Sequence, residues 1–161
     1  MAVSKCAGAH DAYLECTDYA VTQLNLANVA MYLDAGKQFI LVSCWSPTVS
    51  CHLSWCHQGN AIISNLKMLT IEIGHAGWLG WPANLSPAAE LYANVYNTAN
   101  KPASLRGLAT NVANYNAWSL TTCPSYTSGD ANCDEKKYIN ALAPLLKSAG
   151  WDAHFITDTG T

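Results

Sequence analysis

Charge is what this sequence has least of. Only 12% of its 161 residues are Asp, Glu, Lys or Arg, and the formal net charge is −3. The eight Lys and Arg are scattered, so the basic stripe that would bind a phosphate backbone is missing and no nucleic-acid partner is expected. Long apolar runs are missing as well. No segment approaches the roughly 20 apolar residues that cross a bilayer, which leaves no reason to expect a membrane partner. Met1 to Gly8 lacks the apolar stretch of a signal peptide. Half of the residues are hydrophobic, a composition that excludes a disordered tail.

The aromatic content is uneven, with six Trp and eight Tyr against two Phe. The length suits one domain with its own core. Seven cysteines are an odd number, so at least one is free or bonded to another chain.

Outside residues 37–74, helical and strand patterns alternate. Residues 9–25 read as an amphipathic helix, with Tyr13, Cys16, Ala20 and Leu24 on one face. Val29 to Leu33 form a short apolar strand that ends at Asp34. Ser86 and Pro87 read as the N-cap and first position of a second helix, whose buried stripe runs through Ala88, Leu91 and Val95. Gly107 to Val112 form a second strand leading to Asn114. A third helix is predicted over 133–148, with Tyr138, Leu142 and Leu145 inward, a kink or shifted start at Pro144, and Gly150 as its stop. Ala153 to Thr157 form the last strand, ending at Asp158. This alternation predicts an α/β fold with parallel strands and right-handed crossovers. Asp34, Asn114 and Asp158 then share the rim beyond the strands, where such folds build their sites.

The residues 37–74 break this rhythm. Gly36-Lys37 can be encoded as GGTAAG, which contains a splice donor, and Ile73-Gly74 as ATAGGN, which contains an acceptor. Leu69-Thr70 can hide a branch point. Excision would join Gly36 to His75, and the stretch is therefore read as an anomalous insert, a translated intron. Its Cys44, Cys51, His52, Cys56 and His57 are metal-capable, but C-x6-C-H-x3-C-H lacks the paired knuckles of structural zinc sites, so no metal is expected.

With the insert removed, residues 28–36 and 75–82 read NVAMYLDAGHAGWLGWP, and 106–118 read RGLATNVANYNAW. These strings closely resemble the middle of fungal glycoside hydrolases of family 6, the cellobiohydrolase II type. The resemblance implies a fragment of a distorted, partly open, TIM-like parallel β/α barrel. Residues 1–36 and 75–161 would be part of the catalytic domain. It also implies a secreted enzyme, active as a monomer without cofactor, that hydrolyses β-1,4-glucan with inversion. A secreted parent without a signal peptide here places the true N-terminus upstream, with Met1 internal.

Glycoside hydrolysis uses two carboxyl groups, one protonating the leaving oxygen and one activating water. By position Asp34 and Asp158 are the plausible carboxylates, or else they cap helices and anchor turns. The resemblance makes Asp34 a wall residue and puts the proton donor and base in segments these 161 residues do not contain, so this piece is expected to be inactive. Trp78 and Trp81 are either core indoles or sugar platforms on residue type alone; the flanking Gly77 and Gly80 favour a loop, and the resemblance assigns both to sugar stacking. His75 and Asn114 match residues that bond sugar hydroxyls, although a loop histidine bonding backbone and an amide closing a turn fit equally well. Cys123 and Cys133 flank a polar loop and can form a disulfide or remain thiols. Cys6 resembles a cysteine whose partner lies upstream and is expected unpaired. The alternative function is a non-catalytic glucan binder that uses Trp78 and Trp81.

Overall fold

The computed structural model describes residues 7–34, 76–112 and 114–159. The insert at 37–74 with its Cys/His cluster, Cys6 and His75 lie outside the described residues. Among the described residues four helices and three strands follow one another as α1 (Ala7–Gln23), β1 (Met31–Asp34), the short turn α2 (Ala76–Leu79), α3 (Pro82–Thr98), β2 (Leu105–Thr110), α4 (Glu135–Ser148) and β3 (His154–Thr157). A 3₁₀ turn at Ser125–Thr127 interrupts the loop before α4.

The three strands form one parallel sheet in the order β1-β2-β3. Five of the six residues of β2 are buried, as expected of a central parallel strand covered on both faces. Along β3 exposed and half-buried residues alternate, the pattern of a strand with one wet face. Register pairs Asp34 with Ala109, and Thr110 with Thr157. The C-terminal ends of all three strands therefore finish level, and the polar residues that follow them meet at one rim. Gly107 is needed for the close approach of β3, because a side chain there would run into the backbone of His154.

The core lies between the sheet and the helices. Leu108, Tyr138, Leu142 and Leu146 are fully buried, joined by Leu105, Tyr92, Ala88, Ala89, Val21 and Trp151. Each large aliphatic side chain buried there contributes roughly 1.5–3 kcal/mol. Tyr96 of α3 stacks on Trp151 at a centroid separation of 4.8 Å and 9° between planes, which ties the entry to β3 to α3.

Helix boundaries differ from the sequence expectations in instructive ways. Ser86-Pro87 does not start a helix: α3 begins at Pro82 and carries Pro87 inside it. Pro82 already supplies the preset φ of a first turn, and its missing N–H costs nothing there. Among the described side chains of α1 the buried ones are Thr17 and Val21, next to Cys16 and Ala20 on the expected stripe. In α4 Leu146 replaces Leu145 as the innermost residue, Pro144 sits within the helix, and the start is fixed by Asp134, whose side chain accepts from Lys137 N. Gly150 follows α4 with φ +96°, the left-handed stop that glycine supplies without strain.

Candidate functional site

The rim beyond the strands is organised by Asn111, the residue after β2. It has φ +59°, a left-handed value that Asn tolerates better than most residues. It is 1% exposed. Its Nδ2 donates to Asn116 O (2.9 Å) and Asp158 O (2.8 Å), and its Oδ1 accepts from Asn116 N (3.1 Å). One side chain thus closes the 111–116 loop and pins it to the end of β3. Asp158 is exposed, and its own N–H donates to Thr110 O.

Within that loop Asn114 is half-buried and donates its Nδ2 to Val112 O at 3.0 Å, while also lining an open cleft. It closes a turn and faces the cleft together. Tyr115 is 99% exposed and Tyr126 84% exposed, and both line the same cleft, whose volume is ≈ 320 Å³. That is near the lower end for small-molecule sites. Asn116, Gly77, Trp81 and Cys133 line the cleft too, together with Pro124 and Thr127.

Trp81 is half-buried, and its indole N–H is spent on Gly77 O at 3.1 Å, which fixes the ring. Gly129, at φ +96°, lies against the far edge of the indole. Gly80 has no room for a side chain between the carbonyls of Ala76 and Asn132, and its own O accepts from Asn132 Nδ2 at 2.6 Å. The segment from α2 to Trp81 is therefore clamped onto the loop before α4. Trp78 lies within α2.

That loop is closed by a disulfide between Cys123 and Cys133, with Cα atoms 5.8 Å apart. Cys16 is also disulfide-bonded. Next to Cys133, Asp134 is fully buried and receives Lys137 N, Leu120 N and the Lys137 ammonium at 2.9 Å. Burial opposes its charge, but these donors outweigh burial and hold the carboxyl below the usual carboxylate range. Asp130 behaves oppositely: burial lifts its carboxyl, against one backbone bond from Asn132.

Deeper in, Tyr92 Oη donates to Asp34 O at 2.9 Å. The Tyr138 phenol is pushed well above its ordinary range by burial first, then by Tyr92, Glu135 and Asp34 beside it. It remains a neutral hydroxyl at any working pH. Glu135, fully buried, accepts from Ala76 N and Asn116 Nδ2, both at 2.7 Å. Asp34 and Glu135 thus both act electrostatically on one buried hydroxyl. Among the described residues no group of three His, Cys, Asp or Glu could hold a metal ion. Chemically, the arrangement presents aromatic surfaces beside amide groups, the combination that recognises a sugar by its apolar face and its hydroxyls.

Of the sequence-derived residues, Trp81 and Asn114 meet at the cleft, whereas Asp34, at the end of β1, does not line it. Tyr115, Asn116, Tyr126 and Glu135 were not among them. Tyr115 and Asn116 lie inside the quoted NVANYNAW string, and Asp134-Glu135 carries the acidic signature of a helix start. Those signals were available. The pairing of Glu135 with Ala76 was not.

Comparison with known proteins decides the family. The family model described as glycosyl hydrolases family 6 matches residues 1–50 and 61–161. The chain belongs to glycosyl hydrolase family 6. It is 60% identical over 158 residues to the 1,4-beta-D-glucan cellobiohydrolase C of Emericella nidulans, covering 98% of this chain and 26% of that protein. The catalytic core domain of the cellobiohydrolase Cel6A from Chaetomium thermophilum superposes with a TM-score of 0.72 at 49% identity, over 98% of this chain and 33% of that one. Cellobiohydrolase II (Cel6A) of Humicola insolens, in complex with glucose and cellotetraose, gives 0.72 at 47% identity with the same coverage. The chain spans about a quarter of the length of the curated family 6 relatives it matches.

Proposed function

We propose that these residues form part of the glucan-binding wall of a secreted, inverting β-1,4-glucanase of the cellobiohydrolase type, built on a partly open β/α barrel. The observation that carries this reading is the cleft beyond the C-terminal strand ends. There Trp81, Tyr115 and Tyr126 offer aromatic surface beside Asn114 and Asn116, in a chain of family 6. Trp81 stacks on a glucose face, and Trp78 and His75 extend the track. Asp34 is itself a residue of that wall and helps shape it. The Cys123–Cys133 bond supports an oxidising, extracellular setting. The enzyme works as a monomer and needs no cofactor.

Hydrolysis needs a proton donor and a base, held ~6.5–9.5 Å apart in inverting enzymes. The segments to which the resemblance assigns them are not among these 161 residues, so this piece binds glucan without cleaving it. Residues 37–74 are read as a translated intron, although the family match leaves out only residues 51–60 of that stretch and includes 37–50 and 61–74. Reading the genomic codons tests it: codons at 36–37 that cannot form a splice donor would sink the idea.

The binding reading is tested by titrating the 161-residue chain with cellotetraose and following tryptophan emission. A saturable shift is expected, weakened about tenfold, or ~1.4 kcal/mol, in Trp81→Ala. Release of reducing sugar should stay at background. A flat titration would remove the proposal.

A further inference from the structure

Glu135 occupies the first turn of α4, where an acidic residue ordinarily faces solvent and complements the helix dipole. Here it does neither in the usual way. Capping is already done by Asp134, which accepts from Lys137 N at 2.8 Å, and Glu135 is 0% exposed. Its Oε1 turns away from its own helix and accepts two donors from distant segments. One is Ala76 N, 59 positions away, and the other is Asn116 Nδ2, 19 positions away. Its Oε2 is buried with no hydrogen-bond partner, a costly arrangement for a carboxylate.

Both donors lead straight to the cleft. Ala76 opens α2, which carries Trp78 and continues through Gly80 to Trp81. Asn116 itself lines the cleft and neighbours Tyr115. One carboxylate oxygen therefore sets the spacing between the aromatic arm and the amide arm of the wall. Sites of this kind lose about a hundredfold in function for an ångström of misplacement, so a shared acceptor between the arms has direct leverage on binding.

We propose that Glu135 is the positioning residue of the cleft, holding the Trp78–Trp81 segment and the Asn114–Asn116 loop in register through a single shared oxygen. This rests on the glucan-binding reading above. Glu135 itself does not touch substrate; it acts through Ala76 and Asn116.

The test compares the wild-type chain with Glu135→Ala, Glu135→Gln and Asn116→Asp by two readouts, cellotetraose affinity from tryptophan emission and amide exchange by residue. Glu135→Ala should weaken binding about tenfold and raise exchange at Ala76 at least about tenfold, with the β2 amides unchanged. Gln keeps an acceptor at Oε1, so Glu135→Gln should stay within about threefold of wild type on both readouts. Asn116→Asp sets a second carboxylate against Oε1 and should reproduce the alanine loss with Glu135 intact. If Glu135→Ala fails to fold, the other two variants decide.

Three outcomes overturn the assignment. They are wild-type affinity and Ala76 exchange in both Glu135→Ala and Asn116→Asp, a loss in Glu135→Gln equal to that in the alanine variant, or exchange rising uniformly through β2. The last would mark a merely structural acid. If the wild-type chain binds no cellotetraose, the functional reading falls by itself, and exchange at Ala76 still decides whether the clamp exists.

Discussion

Single residues at the rim do several jobs each, and this makes their replacement costly. Asn111 combines a left-handed backbone with hydrogen bonds to Asn116 and Asp158. Asn111→Ala removes the bonds and strains the turn, and should cost about 2–4 kcal/mol; a urea melt measures it. Asn111→Gly keeps the backbone freedom and should recover part of the loss. Asp134 carries a pH dependence of definite sign. Its folded carboxyl is held below the usual carboxylate range, so its contribution is complete above the unfolded value near ~3.9 and fades as pH falls through the lower folded value. Asp134→Asn keeps a capping oxygen but loses the charge that Lys137 and Leu120 N meet, so it should flatten that part of the acid limb and lower neutral-pH stability by about 1–2 kcal/mol. A series of thermal melts from neutral to acidic pH separates the two effects. What local sequence could reveal at this scale was residue type: Trp81 and Asn114 stood out in quoted strings. Glu135 did not, because its partners are 59 and 19 positions away and leave no periodic trace.

At the level of elements, the alternating hydrophobic pattern was enough to find the three main helices and the three parallel strands. The ends were harder. Ser86-Pro87 has the form of a helix start, yet the helix begins five residues earlier at Pro82, which also suits the first position although Trp81 before it offers no side-chain cap. Leu145 and Leu146 are adjacent apolar residues, and only the packing against Tyr138 and Leu142 selects Leu146 as the inner one. Gly107 was read simply as a strand residue, whereas its role is to admit the backbone of His154. Gly107→Ala should therefore break the pairing of β2 with β3 and cost more than about 3 kcal/mol. A matched substitution at exposed Ser128 should stay within about 0.5 kcal/mol. Denaturant midpoints of the two variants make the comparison.

For the molecule as a whole, the α/β class with a parallel sheet was legible, and so was the membership of family 6. The cleft was not, because it is assembled from the α2–α3 junction, the loop after β2 and the loop before α4, and their meeting is a property of packing. The disulfide between Cys123 and Cys133 stabilises one of these pieces by restricting the unfolded chain. For a loop of sequence separation 10 the chain-entropy estimate is about 2–3 kcal/mol, so Cys123→Ser should lower the unfolding free energy by that amount. The loop it closes contains Tyr126, 84% exposed, an open target for a protease that cuts after aromatic residues. Cleavage there would not release a fragment. The bond would hold both new ends at high local concentration, and Gly129 would stay beside Trp81. A nicked molecule would migrate as one band without thiol and as two with it, and damage at this site would go unseen in any assay run under oxidising conditions.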